Sequence, residues 1–582
     1  MQIRKEIHVI RRKQAIALTA AAAIAAGATF VAAGSASPST ALTNVPTPNT
    51  KSDGFAPASK LSVELSQIVV AQGSTKLENT SSLTSYYGYN NDSLNSAGEP
   101  VMVPTAANPT EAHKTEPDKN TYLTFKNGLS GADPNYDYGS HFLFQGHEGG
   151  TAQPCLHAPA VNCSKGYITR INLDADAAHR VTPLATQDSN GNPLNTIDGS
   201  TWDPWAQRLL FTTENNNAGT YAATPGYPST VTDVSGALGR GGYEGIQNDD
   251  DGNLWIAEDI GGSNKPPAGS ATCANSGTPP PQCTVARRPN SFIYRYVPEH
   301  KGDLADGKLQ VLQVLNSSNQ PITFESEAAL NNPDQVALHT YGNTFKTKWV
   351  TIHDTAVDGT ASFDANALAK TPLATHPGNV GTPFKRPENG VFRPDSGFKQ
   401  FFFDETGDTN ANSPENDAAG GWGSIMKLTQ SDPSADTGKL SPFYKSDGAH
   451  SSLDNVTFLS KNVVTFGQDM GDGLHTQLNA LDSAFTWDVT RDYSDPANQP
   501  VLWLAEGRDA SATLDGSATP TGFGKNDGDN ETTGIHVSDG DAGKNGILGE
   551  KSPNLNNDKW RWFYTQQHGD NPTYEVVFNG RD

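Results

Sequence analysis

The stretch Tyr243-Glu-Gly-Ile-Gln-Asn-Asp-Asp-Asp-Gly-Asn-Leu-Trp-Ile-Ala-Glu258-Asp259 decides the fold. It contains a short strand, a turn rich in Asp, Gly and Asn, a second strand of apolar residues, and an acidic end. The same order recurs in four other segments, Asp198–Glu214, Glu388–Glu405, Asp454–Asp469 and Glu531–Gln567. A hairpin that recurs along a chain is the pattern of β-propeller blades, so we predict an all-β propeller.

The repeated hairpins also determine where the acidic side chains lie. In an antiparallel hairpin, the start of the first strand lies beside the end of the second. Polar residues occupy both places, fourteen positions apart, in the pairs Ser200 and Glu214, Glu244 and Glu258, and Asn455 and Asp469. Each blade is therefore predicted to present polar ligand atoms at one rim, and several blades direct them at one axis.

The composition narrows the class of protein. The chain has 582 residues, with 56 Gly and 38 Pro, which suits a turn-rich all-β fold. Its formal net charge of −23 argues against nucleic acid as a partner, because nucleic acid requires a basic surface. An acidic balance is compatible both with cation binding and with the solubility of an exported protein.

The N-terminus reads as an export signal. A basic run ends at Lys13, an apolar run spans 15–33, and small residues follow, so residues 1–36 are predicted to be a signal peptide. The Arg pair before Lys13 leaves both the twin-arginine and the general secretory route open. We expect a flexible linker over 37–60, a propeller domain over 61–582, and a periplasmic or extracellular location without a membrane span.

The four cysteines fall into two close pairs. An exported context and an even count predict the disulfides Cys155–Cys163 and Cys273–Cys283. A metal site formed by these cysteines is disfavoured, because no Cys-Xaa-Xaa-Cys spacing occurs.

A ring of acids with one arginine carries the predicted chemistry. The rim acids are Glu148, Glu214, Glu244, Glu258, Asp259, Glu388, Asp404, Glu405, Asp469 and Glu531. Carboxylates crowded around an axis cannot all stay ionised without cations, and hard cations prefer oxygen ligands. Arg386 beside them suits an oxyanion such as phosphate, so the set predicts metal-assisted phosphoester hydrolysis. Any single acid has an alternative role, which is to bind strand-edge amides.

Several motifs occur in an order that resembles a known family. They are Tyr87-Gly-Tyr-Asn-Asn-Asp92, Phe142-Leu-Phe-Gln-Gly-His147-Glu148, Leu238-Gly-Arg-Gly-Gly-Tyr-Glu244, Phe384-Lys-Arg-Pro-Glu388, Glu531-Thr-Thr-Gly534 and Thr565-Gln-Gln-His568. The order resembles that of PhoX-type alkaline phosphatases, exported propeller enzymes that bind calcium and iron. The resemblance implies six blades and phosphomonoester hydrolysis.

The resemblance also implies roles for individual residues. The implied metal ligands are Glu148, Glu214, Glu244, Glu388, Asp469 and Glu531. Arg386 and Glu388 are the implied catalytic residues, and Arg386 would hold the phosphate. Because Pro387 follows Arg386, we expect an extended backbone at Arg386.

The chain departs from the family at two cysteines and a histidine. The family's Thr-Cys-Glu-Glu is replaced by Thr212-Thr-Glu-Asn215, and its Cys-Glu-Asp-Gly by Gly467-Gln-Asp-Met470. Tyr243 stands where the family has a His. Loss of soft ligands favours calcium over iron.

The sequence therefore predicts a secreted, calcium-dependent phosphoesterase that acts on phosphorylated small molecules, as a monomer. A non-catalytic, calcium-stabilised extracellular binding propeller is the alternative. A calcium-dependent lactonase is a more distant third.

Overall fold

The computed structural model describes residues 41–53, 58–81, 83–102, 105–109, 112–149, 166–262, 287–324, 332–409, 413–414, 416–507 and 531–579. The predicted signal peptide and all four cysteines lie outside these ranges, so the signal and both disulfides stay predictions. Residues 40–582 belong to one compact unit.

The first half of the chain forms two four-stranded antiparallel sheets after two N-terminal strands that join other sheets. The N-terminal strands are β1 (Lys60–Leu61) and β2 (Leu65–Ala71). The first sheet consists of β3 (Pro117–Thr124), β4 (His141–His147), β5 (Tyr167–Asn172) and β6 (Val181–Ala185). The next strands are β7 (Ser200–Asp203), β8 (Arg208–Phe211), β9 (Glu214–Gly219), β10 (Tyr221–Ala223) and β11 (Val231–Asp233). The second sheet has the order β11-β10-β8-β7, while β9 pairs elsewhere.

The middle of the chain forms a ten-stranded sheet built from two meanders. The first meander comprises β12 (Arg240–Asn248), β13 (Leu254–Glu258), β14 (Ile293–Pro298), β15 (Gly307–Leu315) and β16 (Phe345–Asp354). The second comprises β17 (Gly390–Phe392), β18 (Gln400–Glu405), β19 (Ser424–Gln430) and β20 (Thr437–Lys445). The meanders join where β16 pairs with β20, and β9 extends the other edge beside β12.

The last two sheets each recruit a strand from the N-terminal region. One contains β21 (Leu453–Phe458), β22 (Val463–Gln468), β23 (Ser483–Asp488) and β24 (Val501–Ala505), with β1 at its edge. The other contains β25 (Glu531–Ser538), β26 (Arg561–Gln567) and β27 (Thr573–Phe578), and β2 completes it by pairing Leu65 with Phe578. A strand near the N-terminus thus completes a sheet formed by the C-terminal strands.

Helices are short in the described part of the chain. They are α1 (Ser235–Leu238), α2 (Pro333–Leu338), α3 (Thr355–Asp358), α4 (Ala365–Lys370) and α5 (Gly471–Leu478). No helix among the described residues is long and apolar enough to cross a membrane. The all-β propeller class is confirmed, whereas the number of six blades stays a prediction.

Aromatic side chains form the core between neighbouring meanders. The indole of Trp255 on β13 packs edge-on against Trp349 on β16 and Phe392 on β17, with ring centroids 5.0 Å apart in both pairs. Such contacts stabilise packing beyond the burial of area alone. They hold the strand ends of adjacent meanders in fixed relation.

Part of the segment expected to be a linker packs against the β21–β24 sheet. The Val45 amide donates to the Leu502 carbonyl at 2.8 Å, and the Val45 side chain is only 4% exposed within an apolar cluster. The side-chain amide of Asn49 donates to the carbonyls of Ala505 and Glu506. The boundaries of the linker and the propeller domain stay predictions.

Candidate functional site

The first strands of four hairpins share a bulge at the same place. In β3, β12, β21 and β25, three residues of the opening strand span two residues of its partner near the start of the hairpin. Such a bulge redirects the side chains at that point. It re-aims Asp118 on β3, Glu244 on β12 and Asp454 on β21, which lie within the bulged stretches.

The acids of different sheets meet in three groups. The ligand oxygens within each group lie within 4.8 Å of one another, and the groups are Asp118–Glu148–Asp198, Glu214–Glu244–Asp259 and Glu244–Glu388–Asp454. Glu244 belongs to two of them, so the second and third groups form one continuous acidic surface. We call the three groups together the acidic well.

Four of the six predicted ligands lie in the acidic well. They are Glu148, Glu214, Glu244 and Glu388. Asp469 and Glu531 belong to none of the three groups, although their charges act on members of the well, since Asp469 helps raise the pKa of Glu214 and Glu388. The ligand assignment itself stays a prediction.

Sequence reasoning missed four members of the well as ligands: Asp118, Asp198, Asp454 and Asp259, of which it placed only Asp259 at the rim. Asp198 and Asp454 open two of the repeated segments, just as Tyr243-Glu244 opens another, and that equivalence was the available signal. Asp118 follows Pro117 outside any repeated segment, so only the pairing of β3 with β4 brings it to the axis.

Neutral side chains orient the carboxylates without neutralising them. The Asn389 amide donates to Asp454 Oδ1 at 3.1 Å, and the Asn455 amide donates to Asp454 Oδ2 at 2.9 Å. The Gln567 amide donates to Glu148 Oε1 at 2.9 Å. These donors fix carboxylate positions but contribute no compensating charge.

Burial and crowding raise the pKa of most acids of the well and so favour their protonated forms. Burial, followed by the charge of Asp454, raises the pKa of Asp118 to about 7. Burial and neighbouring acids also raise the pKa of Glu148, Glu244 and Glu388 well above the usual value. Such groups become ionised when cations bind among them.

The buried ammonium group of Lys119 lies near the acids of the well. Lys119 Nζ donates to Asn455 Oδ1 at 3.1 Å. Burial lowers the pKa of Lys119, and the charges of Asp454 and Asp118 oppose that shift. A single ammonium offsets only part of the charge that the ionised well would carry.

Arg386 is fixed at the side of the well by two acids. Its Nε and Nη2 bind Asp259 at 2.6–3.0 Å, and Nη2 also lies 3.2 Å from Glu388 Oε1. Nη1 donates to Thr409 Oγ1 at 2.9 Å. Burial alone would lower the pKa of Arg386, but Asp259 and Glu388 raise it well above its usual value. The guanidinium group of Arg386, which was expected to hold phosphate, thus binds Asp259.

The expectation of an extended backbone at Arg386 is wrong. Its φ is 57°, in the left-handed region that non-glycine residues rarely adopt. Residues 405–407 hold this conformation: Glu405 accepts from the Lys385 amide, and the Thr406 and Gly407 amides donate to the carbonyls of Arg386 and Lys385. These bonds offset a conformational cost of about 1–2 kcal/mol.

Two acids of the predicted rim serve the scaffold instead. Glu258 Oε2 accepts from the Phe292 amide, the Tyr294 hydroxyl and the Asn366 amide at 2.9–3.1 Å. Glu405 lies 2.8 Å from His339 Nε2, and both side chains are fully buried. The alternative considered for single acids, binding of scaffold donors, therefore applies to these two.

The residues that replace the family's soft ligands have structural partners. The Thr213 hydroxyl donates to the Gly219 carbonyl at 2.9 Å, and the Tyr243 hydroxyl donates to the Leu238 carbonyl at 2.8 Å. Neither side chain belongs to a group of the well. The three groups of the well consist of carboxylates.

Comparisons with known proteins support the fold. No protein-family model matches this chain, and no curated protein matches it either. The fold is similar to that of PhoX from Pseudomonas fluorescens, solved in complex with vanadate, a transition state analogue; the TM-score is 0.51 at 12% identity, over 92% of this chain and 98% of that one. At this identity the likeness shows the fold alone.

Two further solved structures are more distant. Sqt1 from Chaetomium thermophilum has a TM-score of 0.29 at 11% identity, over 80% of this chain and 97% of its own. The periplasmic gluconolactonase PpgL from Pseudomonas aeruginosa has a TM-score of 0.24 at 14% identity, over 72% and 93%. Neither likeness carries an argument about function.

Proposed function

We propose that this protein is an exported, calcium-dependent phosphoesterase of the PhoX type that hydrolyses phosphomonoesters of small molecules. The observation that carries the proposal is the acidic well: three groups of carboxylates, two of which share Glu244, with a fixed arginine at their side. Lys119 and Arg386 offset only part of the charge, so the well requires further cations in order to ionise.

The donor set of the well fits calcium. Calcium takes six to eight oxygen ligands, including carboxylates and amide carbonyls. Glu244, Glu388 and Asp454 would hold one ion, and the remaining well acids offer ligands for others. Bound calcium would polarise a phosphoryl oxygen and lower the pKa of bound water. Iron is disfavoured because Thr213 replaces the thiolate that softer metals prefer.

The chain's own residues prepare the site for an anionic substrate. Arg386 binds Asp259 and Glu388 and places a permanent positive charge beside the well. Asn389 and Asn455 hold Asp454 in one orientation. Because these groups are fixed before substrate binds, their dipoles and charges need no reorganisation when negative charge develops.

A non-catalytic, calcium-stabilised binding propeller is the second candidate. Two observations favour it: the scaffold role of Thr213 at the family's cysteine position, and the commitment of the Arg386 fork to Asp259. In that case the cations would only neutralise the well and stabilise the ring.

The two candidates separate in one experiment on the purified mature protein. Metal content is measured by elemental analysis, and turnover of a chromogenic phosphomonoester is assayed at alkaline pH with added calcium. We expect stoichiometric calcium, and a loss of at least about tenfold in activity for Arg386→Ala, because the variant loses a charge that stabilises the transition state.

The matched control is Arg491→Ala, which removes an exposed arginine that lies 3.7 Å from Asp488 at the far end of β23. Its activity is expected to equal that of the wild type. No turnover by the fully calcium-loaded protein would favour the binding propeller, and stoichiometric iron would contradict the calcium assignment.

A further inference from the structure

A second arginine lies beside Arg386. A Cβ atom added to Gly261 would lie 3.0 Å from Arg287 Nη1 and 3.8 Å from Arg386 Cδ, so both arginine side chains flank this glycine. Burial lowers the pKa of Arg287, and the nearby charge of Arg386 lowers it further. Gly261 thus allows two guanidinium stems to share one side of the well.

The backbone of Arg287 is tied to the segment that carries Arg386. The Arg287 amide donates to Asp408 Oδ1 at 3.2 Å, and the same oxygen lies 3.0 Å from Lys385 Nζ. Asp408 therefore connects both basic segments, while the Lys385 ammonium neutralises its charge. The side chain of Arg287 makes no hydrogen bond or ion pair with a described residue.

The two arginines differ in the donors that they have left. Arg386 uses Nε and Nη2 for Asp259 and Glu388, and one Nη1–H for Thr409. Of its five N–H groups, one remains. A bidentate contact with a new ligand would require Arg386 to release Asp259, whereas Arg287 keeps its fork.

We propose that Arg287 is the phosphoryl-binding arginine of this site, and that Arg386 is a fixed neighbour that adds at most one donor. The inference rests on the proposed function and names its substrate contact. The planar fork of Arg287 would bind two non-bridging oxygens of a phosphoryl group. A dianion beside the pair would also relieve the repulsion between the two guanidinium groups.

The test measures binding of inorganic phosphate to the calcium-loaded, full-length mature protein by titration calorimetry. Arg287→Ala is expected to weaken phosphate binding about 10- to 100-fold, as for loss of charge-assisted hydrogen bonds. Arg287→Lys keeps the charge but loses the fork, and is expected to recover only part of the affinity. Arg491→Ala serves as the control for removal of one positive charge and is expected to bind like the wild type.

The same variants are then assayed with the chromogenic phosphomonoester. Arg287→Ala is expected to raise KM by a similar factor, since the contact already forms in the bound substrate. Thermal melts with calcium check that each variant is folded. Unchanged phosphate affinity in a folded Arg287→Ala variant overturns the inference, as does a wild type that binds no phosphate.

The two proposals fail in different ways. Turnover that does not depend on Arg287 would support the proposed phosphoesterase activity and contradict the role of Arg287 in it. Phosphate binding that depends on Arg287, without turnover, would support the role of Arg287 and contradict the proposed phosphoesterase activity.

Discussion

The acidic well and the Glu405 site both contain buried acids at strand ends, yet Glu405 pairs with a base, whereas Glu244, which belongs to two groups of the well, lies among other acids. Glu405 lies 2.8 Å from His339 Nε2, and the other ring nitrogen of His339 lies 2.7 Å from the Gln335 carbonyl. Nearby, Lys385 pairs with Asp408. In the well, Glu244 has acids on two sides, and its carboxylate accepts from the Asn389 amide at 3.4 Å.

The pKa shifts of the two regions have opposite signs. Burial raises the pKa of Glu405, but His339 outweighs burial and leaves that pKa lowered. Burial raises the pKa of Glu244, and Asp198 and Glu388 raise it further. A buried acid is therefore a candidate metal ligand only where the protein does not supply its counter-charge, and burial or strand position alone does not separate the two cases.

The largest expected effect comes from removing Glu405, whose charge is balanced by His339 within the protein. Glu405→Ala should lower the free energy of unfolding by about 3–5 kcal/mol, because it leaves His339 buried without its partner and frees the Lys385 backbone. The loss should be equal with calcium and with EDTA, as measured by denaturant unfolding. A loss present only with calcium would place Glu405 in the metal site instead.

Removing cations should have the next largest effect. EDTA should lower the free energy of unfolding by about 3 kcal/mol relative to protein held at 100- to 1,000-fold the calcium Kd. Thermal melts against calcium concentration measure this shift. A melting temperature independent of calcium would contradict cation binding in the well.

The EDTA-treated protein should also lose stability as pH rises. The pKa of Asp118 is raised from 3.8 to about 7, so its bound proton stabilises the fold fully below about 4, and this contribution disappears as pH rises through about 7. We therefore expect a lower melting temperature at about pH 8.5 than at about pH 5.5. Calcium should abolish the difference, because the cations replace the protons.

A smaller effect of opposite sign is expected in the well. Glu388→Gln should weaken calcium binding but raise the stability of the EDTA-treated protein by about 1 kcal/mol, because it removes one of several crowded carboxylates. Calcium titration and denaturant unfolding measure the two quantities. If the variant were less stable without metal, Arg386 rather than crowding would dominate at Glu388.

The smallest effect is expected for Glu258→Gln. Burial raises the pKa of Glu258 to about 8, so at pH 7 this carboxyl is already largely neutral and a neutral amide resembles it. We expect a change in unfolding free energy below about 1 kcal/mol and unchanged calcium affinity. Weakened calcium binding would show that Glu258 reaches the well after all.

The repeated hairpins made the fold predictable from sequence. Strand, turn and strand recur, and two hairpins pair within two positions of the expected residues, with Tyr243 opposite Glu258 and Leu453 opposite Gln468. The expected pair of Ser200 and Glu214 is wrong, because Ser200 pairs with Phe211 and Glu214 lies on β9 opposite Gly242. Each hairpin is a local structure, so its residues are close in sequence and its pairing follows from the pattern.

The acidic well was less predictable, because its members come from different sheets. Glu405 needs no cation because it pairs with His339, which follows helix α2 and lies 66 residues away in sequence. Among the described residues, Glu244 has no such partner. Likewise, the partner of Arg386 is Asp259 rather than a neighbour in the chain. Tertiary packing decides these pairings, and a single sequence does not record them.

The pairing of Leu65 with Phe578 determines when the ring is completed during synthesis. Strand β2 emerges from the ribosome roughly 500 residues before β27, a wait of about half a minute or longer at typical elongation rates. Throughout that time β2 has a free edge that can pair with other chains. We expect ring closure to be a late, slow folding step, with β2 as the segment that most needs a chaperone until β27 arrives.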